Sequence, residues 1–514
     1  MLRFLFPCLL TILVCSSSLL TAEKELFIIN EDSSHFAGTR EAEEMDVAHL
    51  EAFIDQYAGG KVTHLFLNPN AQRASFRSKT REAIWDPVPG ITEETLREKW
   101  QEGGNWALHW KILHDKGIDP YAVWIRRCRE KNISPWISMR MNDIHNVNEP
   151  QHYHHSEFWR SNPQFRIAPN HTGSAWEPYA LDYAHPEVRQ HQMNFVEELL
   201  ERYDADGIEL DWLRFTKHLK SKEDARYIDD FVAEVRKRAD DWSKKRGRKI
   251  QIAVRVPLHP DVSESIGLNA VHWAKQGWVD MVIAATFWGT TDFDIPFDLW
   301  RECLEEDVAK RVLLIGGTEC MTGAYPGAKF AMMDVPTLYG FADNMRYRGA
   351  DGTYLFNWFD RGQHPVADSI YQEMLGGGLT AETTRTKERR YLLGFLNVGV
   401  PSGAQLPKET DQPAAVRILM GAKPAELGAA TLVLAFEKRE GHKAATFSVS
   451  LNGTELGSHE EAAHLLEQLG GDPARAVQFR CPLESLRRGE NEMVLRQTSG
   501  EKQRLVWAEL RVVP

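Results

Sequence analysis

Between residues 26 and 359, eight short apolar runs alternate with longer segments of helical spacing. The runs are LFIIN (26–30), THLFLNPN (63–70), ISPWISMRMN (133–142), GIELDWLR (207–214), IQIAVRVP (250–257), MVIAATFW (281–288), RVLLIGG (311–317) and TYLFNWF (353–359). They have the length and the β-branched, aromatic content of strands. Between them, residues 39–57 carry Met45, Leu50, Phe53 and Ile54 on one helical face, and 121–131, 186–203, 224–245, 268–276, 297–306 and 335–348 read as helices too. Strands that alternate with helices run parallel, because each helix returns the chain to the same end of the sheet. Eight such units predict an α/β fold, a (β/α)8 TIM barrel, with an open doubly wound sheet as the alternative.

The pattern changes after MLGGGLT (374–380) and the polar run 382–390. VRILMG, TLVLAFE, ATFSVSLNGTEL, AVQFRCPL, NEMVLRQ and RLVWAELRVV alternate with a period of two, and Asn452-Gly453 is a hairpin turn signal. Only 459–469 keeps a helical pattern. The expectation is a barrel over 23–378 and an antiparallel β-sandwich over 386–514. Of the 16 tryptophans only Trp507 lies in the second unit. A role in packing against the barrel therefore suits it at least as well as sugar binding.

At the start of the chain, Arg3 precedes an apolar run over 4–20, and the small Ala22 precedes the charged Glu23-Lys24. This predicts a signal peptide over 1–22 and a secreted or periplasmic protein, free of the membrane after cleavage. Cys128, Cys303, Cys320 and Cys481 would remain, with no CxxC pair and so no zinc knuckle. They leave room for one disulfide or for free thiols. A net charge of −12 excludes a nucleic-acid partner that needs a basic surface. With no Gly-rich loop after the first strand and no GxSxG, nucleotide enzymes and serine hydrolases fall away. No cofactor is expected, and oligomeric state is open.

Within the fourth run, Ile208, Leu210 and Trp212 alternate with Glu209 and Asp211. In a barrel the apolar set faces the helices, so both carboxylates face inward, with Asp211 nearer the C-terminal mouth. Buried carboxylates cost several kcal/mol unless paired. Arg140, Arg214 and Arg255, ending the third, fourth and fifth runs, could pair them. An internal ion-pair layer and a catalytic mouth both fit this pattern.

DGIELDWLRF resembles the DGIxxDxxR fourth-strand signature of the glycoside-hydrolase-like barrels related to family 10, and MRMNDIH resembles their third strand. The resemblance covers roughly residues 25–375. It departs from the chitinase pattern DGxDxDxE, because no acidic residue follows Asp211 in the run. It implies a glycoside hydrolase with two carboxyl groups flanking the scissile bond. Asp211 is the first candidate, with Glu209 as its orienter or alternative. Glu319, in GGTEC after the seventh run, is the partner by analogy, and Asp292, Asp294 and Asp360 compete with it.

Arg140, Asn142, Asp143, His145, Arg214, Arg255, Trp288, Asn357 and Trp358 have the chemistry to bind a carbohydrate substrate. Arg140 and Arg255 suit either an anionic sugar or the carboxylates. Two other readings stand. One is a non-catalytic carbohydrate-binding barrel. The other is a metal-assisted lyase or hydrolase using His152, His154 and His155 with Asp143 and Glu157, although no HxxxH spacing is present. Sugar, linkage, stereochemical outcome and endo or exo action stay open.

Overall fold

The structure, a computed structural model, describes residues 25–287, 291–358, 367–394, 404–425 and 428–514. Eight parallel strands form a closed barrel: β1 (Leu26–Glu31), β2 (His64–Leu67), β3 (Ser134–Arg140), β4 (Gly207–Asp211), β5 (Gln251–Pro257), β6 (Met281–Ala285), β7 (Leu313–Thr318) and β8 (Gly352–Phe356). β1 pairs with both β2 and β8, which closes the ring and excludes the open sheet.

Several element ends fall inside the expected ranges, and side-chain caps explain two of them. β4 stops at Asp211 because its Oδ1 accepts the N–H groups of Leu213 (3.0 Å) and Arg214 (2.9 Å), turning the chain out of the sheet. The helix expected over 39–57 begins only at Val47, where Asp46 accepts the N–H of His49 at 2.9 Å.

Two shells of apolar side chains hold the barrel. Ile28, Phe66, Trp136, Ile283, Ile315 and Tyr354 pack inside the ring, while Ile208, Leu210 and Trp212 pack outward among the helices. Trp136 stacks on Phe66 with centroids 4.7 Å apart. Gly207 is required beside it, since a Cβ there would lie 2.4 Å from the Trp136 ring. The strand parity places Glu209 and Asp211 on the inner face, as expected.

The C-terminal unit is built from two antiparallel sheets. One contains Arg389–Leu392, Ala429–Phe436, Arg475–Cys481 and Arg504–Val513; the other contains Ala414–Met420, Thr446–Leu451 and Gly489–Ser499. The helical pattern at 459–469 is a 3-10 turn, Ala463–Gln468.

The unit docks on the barrel helix Val335–Arg348. Buried Arg390 bridges Asp334 of that helix's N-cap (2.7 Å) and Glu509 of the last strand (2.8 Å). Gly340 lets the helix approach the backbone, since a Cβ there would lie 2.1 Å from the Arg390 carbonyl oxygen.

No disulfide joins Cys128, Cys303, Cys320 and Cys481. The proposed signal segment, Trp288 and Asp360 lie outside the described residues. Among the described residues no helix is long and apolar enough to cross a membrane.

Candidate active site

The inward side chains at the C-terminal end of the barrel form a buried network of carboxylates and guanidinium groups. Asp211, at the end of β4, receives Nε of Arg255 at 2.9 Å and a second guanidinium nitrogen at 3.2 Å. With the backbone N–H groups of Leu213 and Arg214, every one of these contacts donates to it. Arg255 lies one strand over on β5, in register with Asp211, and its guanidinium sits 3.9 Å from the centroid of Phe356.

The far side of the same guanidinium faces Glu319, whose Oε1 is 3.7 Å from its Nη1. Glu319 follows β7 directly. Its other oxygen accepts from the Asn357 amide at 3.4 Å, and its carbonyl accepts from the Trp358 indole at 3.0 Å. Asn357 holds a left-handed backbone, φ 59°, which is uncommon outside glycine and is often retained at functional sites. Burial pushes the Glu319 carboxyl up to about 7, against the opposing pull of Arg255 and Arg214. The two carboxyl groups thus share one cation but differ in surroundings.

Glu209 lies one layer deeper, with no exposure. Its Oε2 accepts from the Tyr354 hydroxyl (3.1 Å) and the Asn30 amide (3.4 Å) across the barrel, while Oε1 is buried without a partner. Burial and the charge of Asp211 push this carboxyl up to about 8.

On the other flank of β4 from Arg255, Arg140 ends β3 in register with Asp211 and lies between Asp32 and Asp143, the latter at 3.2 Å. Burial opposes ionisation of Asp32, but Arg140 and the Ser34 N–H outweigh it and hold the carboxyl well below its ordinary range. His145 accepts from Arg214 through Nε2 (2.6 Å), because a guanidinium can only donate. Its Nδ1–H therefore donates to Asp143 (2.9 Å), which fixes the neutral tautomer. Burial lowers this imidazole as well.

Arg214 is half-buried against Phe215 and Phe356, and its Nε is buried without a partner. Phe215 begins an aromatic wall at the mouth. Trp176 packs 5.5 Å from Phe215 and 5.6 Å from Phe287, and it remains partly exposed.

Of the residues singled out from sequence, Arg140, Asp143, His145, Glu209, Asp211, Arg214, Arg255, Glu319 and Asn357 therefore converge at the barrel mouth or just beneath it. Asn142 does not offer its amide to a ligand. It braces two loops by bonding the Leu181 and Lys217 carbonyls at 2.9 and 3.0 Å. The Trp358 ring is buried and positions Glu319 instead of presenting a stacking face. Asp294 pairs with Arg348 outside the barrel at 2.5 Å, and Asp292 accepts the Asp294 N–H at 2.8 Å.

His152 and His154 pack edge-on to each other at 4.3 Å, and His155 packs against Trp159 at 4.5 Å. Among the described residues, no three His, Cys, Asp or Glu side chains converge as a metal site would. Sequence reasoning missed Asp32, Tyr354 and Trp176. Inward parity on β8 could have pointed to Tyr354; nothing in the loop around Trp176 could have.

The fold is a closed (β/α)8 barrel with a buried network of carboxylates and guanidinium groups at its mouth. Residues 99–256 match the family model described as Glycosyl hydrolase-like 10, a stretch that carries β3 to β5 with Arg140, Glu209, Asp211, Arg214 and Arg255. No curated protein matches the chain in sequence.

Solved structures similar to it include these three. The first is the cycloisomaltooligosaccharide glucanotransferase of Paenibacillus sp. complexed with cycloisomaltoheptaose, at 10% identity and TM-score 0.35; the likeness covers 95% of this chain and 57% of that one. The second is the endo-beta-1,4-mannanase from Thermotoga petrophila, at 12% identity and TM-score 0.42, covering 94% and 98%. The third is the PgaB (BpsB) glycoside hydrolase domain from Bordetella bronchiseptica, at 12% identity and TM-score 0.39, covering 68% and 98%.

Proposed function

We propose that the protein is an exported glycoside hydrolase that cleaves an oligo- or polysaccharide with Glu319 and Asp211. The observation that carries this reading is the unequal pair around Arg255. Asp211 is surrounded by donors, and burial pushes the Glu319 carboxyl up to about 7. Glycosidic cleavage needs such a division of labour.

Glu319, whose carboxyl burial pushes up to about 7, donates its proton to the departing oxygen. Asp211 supports the positive charge that develops at the anomeric carbon, either by attack or through a water. Arg255 keeps the two groups in place and limits the rise at Glu319 caused by burial. Glu209 reaches the reaction only through the floor beneath Asp211 and is a positioning residue. Trp176 offers a ring face for sugar C–H surfaces, and the half-buried Arg214 brings its guanidinium charge to a sugar oxygen. Export rests on the pattern of residues 1–22.

The test is a panel of plant, algal and microbial glycans incubated with the parent protein, Asp211→Asn and Glu319→Gln. Reducing ends released by the parent and lost in both variants support the reading. Equal release by parent and variants refutes the site. Sugar release that survives only in Glu319→Gln would transfer the acid role to another group.

A further inference from the structure

At the seam between barrel and sandwich lies a cavity of about 350 Å³, lined by Arg346, Tyr347, Arg385, Lys423 and Arg488, with Asp343 at its wall. The helix Val335–Arg348 ends just before β8 begins, so this cavity sits toward the end of the barrel opposite the carboxylate mouth. Its charge is unusual for a chain of net charge −12. Four cationic side chains face one carboxylate. That carboxylate is already engaged, by Arg346 (2.9 Å), Arg389 (3.5 Å) and the Tyr391 hydroxyl (2.7 Å). Arg346 also pairs with Glu25 at 2.8 Å.

Among the described residues, Arg385, Lys423 and Arg488 make no ion pair. Arg488 is nonetheless oriented. Its Nε donates to the Gly421 carbonyl at 3.0 Å, and its guanidinium lies 5.2 Å from the Tyr347 centroid. The remaining guanidinium N–H groups are free for a ligand. The last helical turn carries a partial negative charge, which Arg346 and Arg348 oppose. Like charges gathered in a concave surface focus a positive potential that a mobile anion would relieve.

We propose that this cavity binds a small oxyanion-bearing ligand: a phosphate, a sulfate or the carboxylate of a sugar acid. The volume fits a single sugar-sized ligand. The chemistry is that of guanidinium and ammonium donors converging on anionic oxygens, with the Tyr347 hydroxyl and ring edge beside them. The site is separate from the carboxylate pair, and it stands whether or not that pair hydrolyses a glycan. Because Arg385 and Tyr347 belong to the barrel side and Lys423 and Arg488 to the sandwich, an occupant would also tie the two units together.

The experiment is calorimetric titration of the full chain with sodium phosphate, sodium sulfate and sodium glucuronate, at ionic strength matched with sodium chloride. Melting curves are recorded in the same solutions. The expected result is saturable binding to at least one of the three, with a rise in Tm that chloride does not produce. Response to phosphate or sulfate assigns a free inorganic oxyanion. Response to glucuronate alone assigns a sugar carboxylate.

Losing one charge-assisted hydrogen bond weakens binding about tenfold or more, so Arg488→Gln should do so. The exposed Lys423→Glu, which reverses a charge without touching the core, should abolish binding with the parent Tm in chloride. Absence of saturable binding to all three anions overturns the proposal. So does binding that Lys423→Glu leaves unchanged.

Discussion

Replacing Glu209 with glutamine should make the protein more stable, and increasingly so as the pH rises. Glu209 is fully buried, and its carboxyl is pushed from an ordinary 4.5 to about 8, first by burial and then by Asp211. The unfolded chain releases this proton above pH 4.5, whereas the folded chain keeps it until about pH 8. Between those values the folded state binds more protons. Stability contributed by this group is therefore fully present below 4.5 and is lost as the pH climbs through the window.

At 1.36 kcal/mol per pH unit, the loss reaches roughly 3 kcal/mol at pH 7 and about 5 kcal/mol once the group ionises. Glutamine has the same shape, keeps an oxygen for Tyr354 and Asn30, and has no proton to lose. Urea unfolding of parent and Glu209→Gln at pH 5, 7 and 8.5 measures the difference directly. The two should be close at pH 5 and diverge by several kcal/mol at pH 8.5. Parallel stability curves, or a variant weaker at every pH, would refute the reasoning.

Other perturbations probe neighbouring parts of the structure. Arg255→Met strips the cation from the buried Asp211 and should cost about 3–5 kcal/mol in urea unfolding. It should also move the titration of Glu319 upward, because Arg255 is the largest influence holding it down. Trp176→Ala should raise KM about three- to tenfold with kcat little changed, as expected for a lost stacking face of about 1 kcal/mol. Gly340→Ala should lower stability by about 1–3 kcal/mol, because the new methyl meets the Arg390 carbonyl and pushes the sandwich off its helix.

Much of this architecture was legible in the sequence because it rests on local periodicity. The eight runs became the eight strands, and the helix expected over 335–348 appears as Val335–Arg348. Period-two parity in one short segment was enough to turn Glu209 and Asp211 inward. Element ends were less legible. The turn after Asp211 is made by its own side chain on Leu213 and Arg214, and hydropathy carries no record of that bond.

Partnerships across the ring were hidden for a different reason. Tyr354 meets Glu209, and Asp32 meets Arg140, only because the closed register brings distant strands together. The histidine run shows the opposite failure. Its composition suggests ligands, but His155 packs on Trp159, and Nδ1 of His154 lies 3.1 Å from the Asn146 amide nitrogen.

The central claim is that Glu319 supplies the proton for glycosidic cleavage. Once a cleaved glycan is in hand, the direct measurement is kcat/KM against pH for parent and Glu319→Gln, on that glycan and on an aryl glycoside with an acidic leaving group. In the parent, kcat/KM on the glycan should fall about tenfold per pH unit above about 7, where the acid loses its proton. Glu319→Gln should lose roughly 10²–10⁴ in rate on the glycan and show no such limb. It should keep far more activity on the aryl substrate, whose leaving group needs no proton. Full activity of Glu319→Gln on the glycan, with the alkaline limb intact, would contradict the account.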